Sequence, residues 1–432
     1  LAERRAGEAR DRAAFWVRRL SRRDDVPDEL LEYLKELAVD PVRAMTRVDL
    51  QMRGIESDRL IAWVDTLRAR PLPSTYRIAA PDPLSATENS AGLREAVAGR
   101  LRQQGIADSG VERAVSQLVS DLEAMKAKKE EGNDQLLLDL DDSPSDDSVR
   151  ILDSSALAPL EARWHEVFPL DKPFSTHMQP FGDDDPWDAP EPWLAFLERE
   201  AEAGDSVDIL DDIATAIELG SRGAEWTDNT VLMPILDRGW HILTDAMKSA
   251  PSGTQLPWIV AENRAALRLA ARRAYALLRQ ERAVDAIGAM ELLLAWNPND
   301  NHGFRALQVN HHLEHGAFDR ALEVCDRYPG DVHVEITYGR CLALFAQGRR
   351  DEATAALGEA LRLNEYVPAA LTRKRVAAPK TALQGISIGG KDQAYEYRLE
   401  ARAIWSTVPG ALDWLKKESR SARGSGRAAV QR

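Results

Sequence analysis

Two stretches of this sequence carry residue types at a spacing that can do chemistry. His311-His312-Leu313-Glu314-His315 sets two imidazoles at i and i+4, on one face of a helix, where neutral ring nitrogens suit zinc and a neighbouring carboxylate suits a general base. The chemistry would be that of a metal-dependent hydrolase. Such a site needs a third protein ligand, yet the string ends at a turn marked by Gly316 with no such ligand in the expected context. Gly385-Ile386-Ser387-Ile388-Gly389-Gly390-Lys391-Asp392 nearly spells a phosphate-binding loop, whose glycines open backbone N–H groups to phosphate and whose final Ser or Thr reaches magnesium. Asp392 holds that final position and would repel phosphate, and the preceding Lys380-Thr381-Ala382-Leu383-Gln384 is not an apolar strand. A Gly-rich turn opening a helix accounts for it. The acidic runs Asp139–Asp142 and Asp183–Asp185 lack the ligand spacing of a calcium loop. The residues therefore predict no catalytic group, no metal and no cofactor: the chain is not expected to be an enzyme.

Composition narrows the class further. The 432 residues are 44% hydrophobic and 29% charged, poor in aromatics and rich in Ala, Leu, Glu and Arg, which favours helices over strands. A formal net charge of -14 repels nucleic-acid backbones and anionic membranes. Basic residues concentrate at the two ends, from Arg4 to Arg23 and from Lys416 to Arg432. With only Cys325 and Cys341, neither a multi-disulfide scaffold nor a four-cysteine zinc site can form. No apolar run approaches the ~20 residues of a membrane span, so a cytoplasmic chain without membrane contact is expected.

The elements follow from periodicity. Phe15, Trp16, Val17 and Leu20 are predicted to share one helix face; Leu30, Leu31, Tyr33, Leu34 and Leu37 form another after Pro27-Asp28, and Leu60, Ile61, Trp63, Val64 and Leu67 a third. Pro71 to Pro83 reads as a loop, followed by helices through Leu93–Leu101 and Val111–Met125. Residues 1–130 are thus expected to form a helical N-terminal domain. Residues 131–190 read as an acidic, Pro-rich linker with a short helix near Leu157–Val167, because Asp139 to Asp147 cannot bury enough apolar surface to offset its ordering entropy. Within it, Gln135-Leu136-Leu137-Leu138-Asp139-Leu140-Asp141 is an apolar island of the kind used as a linear motif. Residues 191–418 are expected to be helical and 419–432 a basic, disordered tail.

The helical region repeats. A 34-residue frame started at Leu267 puts Ala274 at position 8, Leu277 at 11, Ala286 at 20, Leu293 at 27 and Pro298 at 32, the small, large and turn positions of a tetratricopeptide unit. Ala321 stands 35 residues after Ala286 and Ala353 another 32 on, with Gly316 and Gly348 in the intervening turns. On this frame His312 takes a position normally packed. Each helix pair has an apolar face it cannot cover alone, so stacked pairs make a continuous core. The expected fold class is all-α: a helical N-terminal domain plus a tetratricopeptide-like superhelical solenoid.

Trp296-Asn297-Pro298-Asn299-Asp300-Asn301-His302-Gly303-Phe304-Arg305 resembles the Asn-Pro-x-Asp-Asn-x-Gly-x-Arg signature of a tetratricopeptide subfamily found in bacterial proteins and in the suppressor-of-tumorigenicity-7-like family. Leu256-Pro257-Trp258 with Asn263 and Arg264, and the run from Asp392 through Trp405 to Leu415, are similar to its flanks, so the resemblance spans about residues 256–415. His302 departs from the family's usual Gln. The resemblance implies a solenoid without catalytic activity, and marks Asn263, Arg264, Asn297, Pro298, Asp300, Asn301, Gly303 and Arg305 as motif residues.

In such a solenoid the first helix of each pair lines the concave surface, which nominates Arg268, Tyr275, Asn310, Glu335 and Tyr338 as partner contacts. The expected function is a protein–protein interaction scaffold that holds a protein or peptide partner. A regulatory subunit of a nucleic-acid-associated system, gripping phosphate with the basic termini, is the alternative from another class.

Overall fold

The computed structural model describes residues 2–21, 26–51, 57–73, 76–79, 150–152, 157–168, 186–187, 189–221, 227–258, 260–379 and 387–430. Over these residues the fold is all-α, as the composition predicts. One three-residue strand pair interrupts the helices: Arg77–Ala79 (β1) runs antiparallel to Arg150–Leu152 (β2), with Ile78 opposite Ile151. The helices expected at Leu93–Leu101 and Val111–Met125, the linker from Lys126 to Asp147 with its Leu136–Leu138 island, and Asp183–Asp185 lie outside the described residues. Contacts divide the chain into two units, Leu1–Asn299 and Asp300–Arg432.

The first unit opens with α1 (Ala2–Leu20), α2 (Asp28–Val39), α3 (Pro41–Gln51) and α4 (Ser57–Ala69). Asp40 starts α3, its carboxylate accepting the Arg43 N–H at 3.0 Å, with Pro41 in the first turn where its missing donor costs nothing. Leu60, Ile61, Trp63, Val64 and Leu67 of α4 are buried as their spacing predicts. The α1 face is corrected: Phe15 and Trp16 are exposed, and α1 buries the small Ala6 and Ala13 instead. After α5 (Ala158–Val167) and α6 (Glu191–Arg199) come α7 (Val207–Ser221), α8 (Met233–Met247), α9 (Arg264–Arg279) and α10 (Ala283–Trp296). Trp164 stacks on Phe168 at 4.5 Å and meets Trp193 and Phe196 edge-on, an aromatic core beneath α7.

Charge stitches these helices together. Arg59 of α4 forks onto Glu198 of α6 at 2.6 and 2.7 Å. Arg238 of α8, a buried guanidinium, donates to the carbonyls of Gly204, Arg70 and Pro71 at 2.8–3.0 Å, so it caps the end of α4. Helices before residue 70 and those of 191–247 therefore share one body, within the unit Leu1–Asn299. Sequence composition marks where chain is polar; it does not reveal that two distant segments pack across the polar stretch. Deeper in the unit, Asp211 of α7 binds both Arg268 and Arg272 of α9, and Glu218 lies 3.1 Å from Arg272.

The second unit contains α11 (Phe304–Glu314), α12 (Phe318–Arg327), α13 (Val334–Ala346), α14 (Arg350–Leu363), α15 (Val367–Thr372), α16 (Lys391–Thr407) and α17 (Ala411–Val430). α11 packs on α12, α13 and α16, and α13 packs on α14 and α16. Gly339 sits where a Cβ would come within 2.5 Å of Val309, which lets α11 and α13 approach closely. In the stretch expected to be a disordered tail, α17 runs on to Val430, passing two glycines.

Three hairpins close in the same way. At the ends of α9, α11 and α13 the backbone N–H of Arg282, Ala317 and Arg349 reaches back five residues to the carbonyl of Leu277, His312 and Leu344, at 2.9, 2.8 and 3.0 Å. The residue before each donor has positive φ: Glu281 at 59°, Gly316 at 69° and Gly348 at 77°. This is the helix-ending turn that favours glycine. The predicted small positions Ala274, Ala286, Ala321 and Ala353 and the large positions Leu277 and Leu293 are all buried. His312 is half-exposed, and Leu313 beside it takes the buried place.

Candidate partner-binding face

Five residues were nominated for partner contact, and the structure sorts them. Arg268 is corrected: it is buried, its guanidinium held 2.6 Å from Asp211. Tyr338 is corrected as well. Its ring is fully buried and its hydroxyl donates to the carbonyl of Asn364 at 2.5 Å, fixing the end of α14. Arg268 is turned inward by Asp211 and Tyr338 by the Asn364 carbonyl, partners that a repeat frame alone does not reveal. Tyr275 is half-buried on α9.

Asn310 and Glu335 are each coupled to Glu400, a residue the repeat frame did not reach. Asn310 of α11 donates its Nδ2 to Glu400 of α16 at 3.3 Å. Its Oδ1 is buried and without a hydrogen-bond donor among the described residues. Burial raises the Glu335 carboxyl on α13 above the ordinary range, with Glu400 and Asp331 adding to the rise and His333 opposing it. Glu400 itself is exposed, beside the exposed Leu399. The face thus collects two carboxylates and an amide oxygen, all acceptors, next to an apolar side chain. It can bind a cationic, donor-bearing group. Glu400 lies beyond the three 34-residue frames read from the sequence, so that frame could not nominate it.

The family-like motif is a folding device. Asp300, with φ of 53°, accepts the N–H groups of Phe304 and Arg305 on its carboxylate at 2.8 Å each and so starts α11. Burial raises its carboxyl, against the pull of those two donors. Gly303, at φ of 74°, makes the turn into α11. Arg305 sets its Nε 2.6 Å from Asp331 and its guanidinium 5.0 Å from the Tyr328 ring. His333 Nδ1 lies 2.7 Å from the same Asp331; that hydrogen bond raises the imidazole pKa against the effect of burial. Asn297 is buried at the end of α10, with Pro298 following, while Asn301 is exposed. Asn263 donates to the Pro257 carbonyl at 3.2 Å, and Arg264 donates to the Trp258 carbonyl at 2.9 Å with its guanidinium 5.6 Å over that ring.

The two enzyme-like strings resolve into structure. His315 Nδ1 lies 2.9 Å from the His311 carbonyl, with the two rings 4.2 Å apart. Among the described residues no group of three or more His, Cys, Asp or Glu is placed to hold a metal ion. In the glycine-rich turn, whose Gly385 and Ile386 lie outside the described residues, Asp392 accepts the Ser387 N–H at 2.6 Å, and that bond holds its carboxyl below the usual range. The carboxylate occupies the donor a phosphate would use. Both cysteines are buried; burial pushes the Cys325 thiol up to about 12 and raises that of Cys341 too, so neither is a thiolate near neutrality. Among the described residues no helix is long and apolar enough to cross a membrane. Comparison with protein-family models, curated proteins and solved structures returns no match.

Proposed function

We propose that the chain is an interaction scaffold, a tetratricopeptide-like helical-repeat protein without catalytic activity, whose second unit holds a protein segment through a cationic side chain. The observation that carries this reading is the convergence of Asn310, Glu335 and Glu400 from three helices on one acceptor-rich face. A lysine or arginine would satisfy the orphaned Asn310 oxygen and relieve the repulsion between two carboxylates, one of them desolvated. The repeated hairpin closure and the buried small positions support the solenoid part of the proposal. Surface matching in such proteins is spread over a rigid stack, so affinity comes from a few anchors in a pre-formed shape.

The test is affinity capture from a nuclease-treated native lysate with the full chain, beside a variant carrying Asn310→Ala, Glu335→Gln and Glu400→Gln. A protein retained by the unmodified chain and lost from a folded variant is the expected result. Equal recovery on both would overturn the assignment of the face, and recovery of nucleic acid alone before nuclease treatment would favour the regulatory subunit with basic termini.

A further inference from the structure

The first unit contains a cleft of about 540 Å³ lined by Arg68, Arg70, Arg238 and Arg282, with His241 and Gln280 between them. Four guanidiniums around one opening are out of character in a chain of net charge -14. Among the described residues they are also under-neutralised. Asp205 serves both Arg70 and Arg238, and Asp65 serves both Arg68 and Arg43. Asp285 pairs with Arg282, while Asp237, the one carboxylate of the lining, is taken by Arg273. Six guanidiniums therefore meet four carboxylates within these ion pairs, with Glu202 acting on Arg70 at longer range.

Hydrogen bonding points the same way. Gln280 Nε2 is buried and has no acceptor among the described residues, though it lines the cleft. A buried donor left unmade is costly, and an acceptor in the cleft would satisfy it. Arg70 and Arg238 are fixed: Arg238 spends its donors on three carbonyls as well as on Asp205. Arg68 is loosely held, its contacts to Asp65 and to the Thr230 carbonyl lying at 3.4 and 3.5 Å, and its side chain is half exposed. Among the described residues Arg282 is paired only at the surface, three residues along its own helix start. Two rigid and two adaptable guanidiniums thus border one space. Gln280 and Arg282 reach it across Glu281, a non-glycine residue in the left-handed region, a conformation with a backbone cost that other hairpins avoid with glycine.

We infer that this cleft binds a small organic phosphate monoester, the phosphate held by Arg68 and Arg282 against the fixed Arg70–Arg238 pair, and the organic part against Leu67, Leu72 and Met233. Guanidinium forks match phosphate oxygens with two donors each, and the apolar wall gives the ligand's body a place out of water. The inference is independent of the protein-binding face in the second unit.

Isothermal titration of the full chain with phenyl phosphate, with inorganic phosphate and phenol as partial ligands, tests it. Saturable 1:1 binding of phenyl phosphate, tighter than either fragment, is expected, with a loss of at least about tenfold in Arg68→Gln/Arg282→Gln. Both substituted side chains are half exposed, so an unchanged circular-dichroism melt should show that the variant folds; Gln280→Leu provides a second variant that removes no charge and should also weaken binding. No saturable binding of phenyl phosphate, or equal affinity in folded Arg68→Gln/Arg282→Gln, would overturn the site. Binding of an acidic peptide with the same arginine dependence, when phenyl phosphate fails, would overturn the small-ligand assignment.

Discussion

Arg272 has a side chain only 1% exposed, yet its charge is held in place by Asp211 at 2.8 Å and Glu218 at 3.1 Å. Removing one partner of a buried pair can cost about 3–5 kcal/mol, an upper bound here because Asp211 keeps Arg268 at 2.6 Å and Glu218 keeps Arg279 at 3.6 Å. Arg272→Met is therefore expected to lower the unfolding free energy by about 1–3 kcal/mol in urea titration; a change below about 1 kcal/mol would mean that the pair contributes little. His333 illustrates the opposite case at the surface. Its folded pKa is raised above the ordinary 6.5 by the hydrogen bond to Asp331, with burial working against it. A base whose folded pKa is raised stabilises the fold fully below its unfolded value and loses that contribution as pH rises through the folded one. Stability of the second unit should thus fall as pH is raised from about 6 through the raised value, and His333→Gln should flatten that dependence. An unaltered pH profile in the variant would sink this assignment.

At the scale of the element, the hairpin turns decide where helices stop. Glu281 occupies a left-handed position that Gly316 and Gly348 fill elsewhere, and an L-residue there costs about 1–2 kcal/mol, partly offset by the greater unfolded-chain freedom of glycine. Glu281→Gly is accordingly expected to stabilise the chain by about 0.5–1 kcal/mol, and Gly316→Ala to destabilise it by about 1 kcal/mol, since nothing near Gly316 would clash with a methyl group. Thermal melts of both variants check the signs. Gly339→Ala is a different matter, because its new methyl group would press on Val309 at 2.5 Å; overpacking of this kind costs about 1–3 kcal/mol. These elements were largely legible in the sequence: Gly316, Gly348 and the buried alanines follow from turn chemistry and helix periodicity. The Glu281 turn was not, because nothing in a glutamate signals positive φ. Phe15 and Trp16 misled for a related reason, since residue size announces a packed face only when a neighbouring helix is there to cover it.

For the whole molecule, the division at Asn299 was hidden because it falls inside a repeat-like run rather than at a composition change. Packing of residues 57–69 against 191–247 depends on Arg59 and Arg238 finding partners more than 100 residues away, and no local pattern encodes such a pairing. The proposed binding face was legible in part. Asn310 and Glu335 followed from the repeat frame; Arg268 and Tyr338 were drawn inward by Asp211 and by the Asn364 carbonyl, and Glu400 needed the fold to bring α16 alongside. The central claim, that the second unit reads a cationic protein segment with Asn310, Glu335 and Glu400, is most directly tested by selecting displayed random peptides on the immobilised full chain and retesting the winners on a folded Glu335→Gln/Glu400→Gln variant. Enriched peptides sharing a lysine or arginine, with binding at least about tenfold weaker to the variant, are predicted. Absence of enrichment, or peptides that bind both proteins equally, would contradict the account.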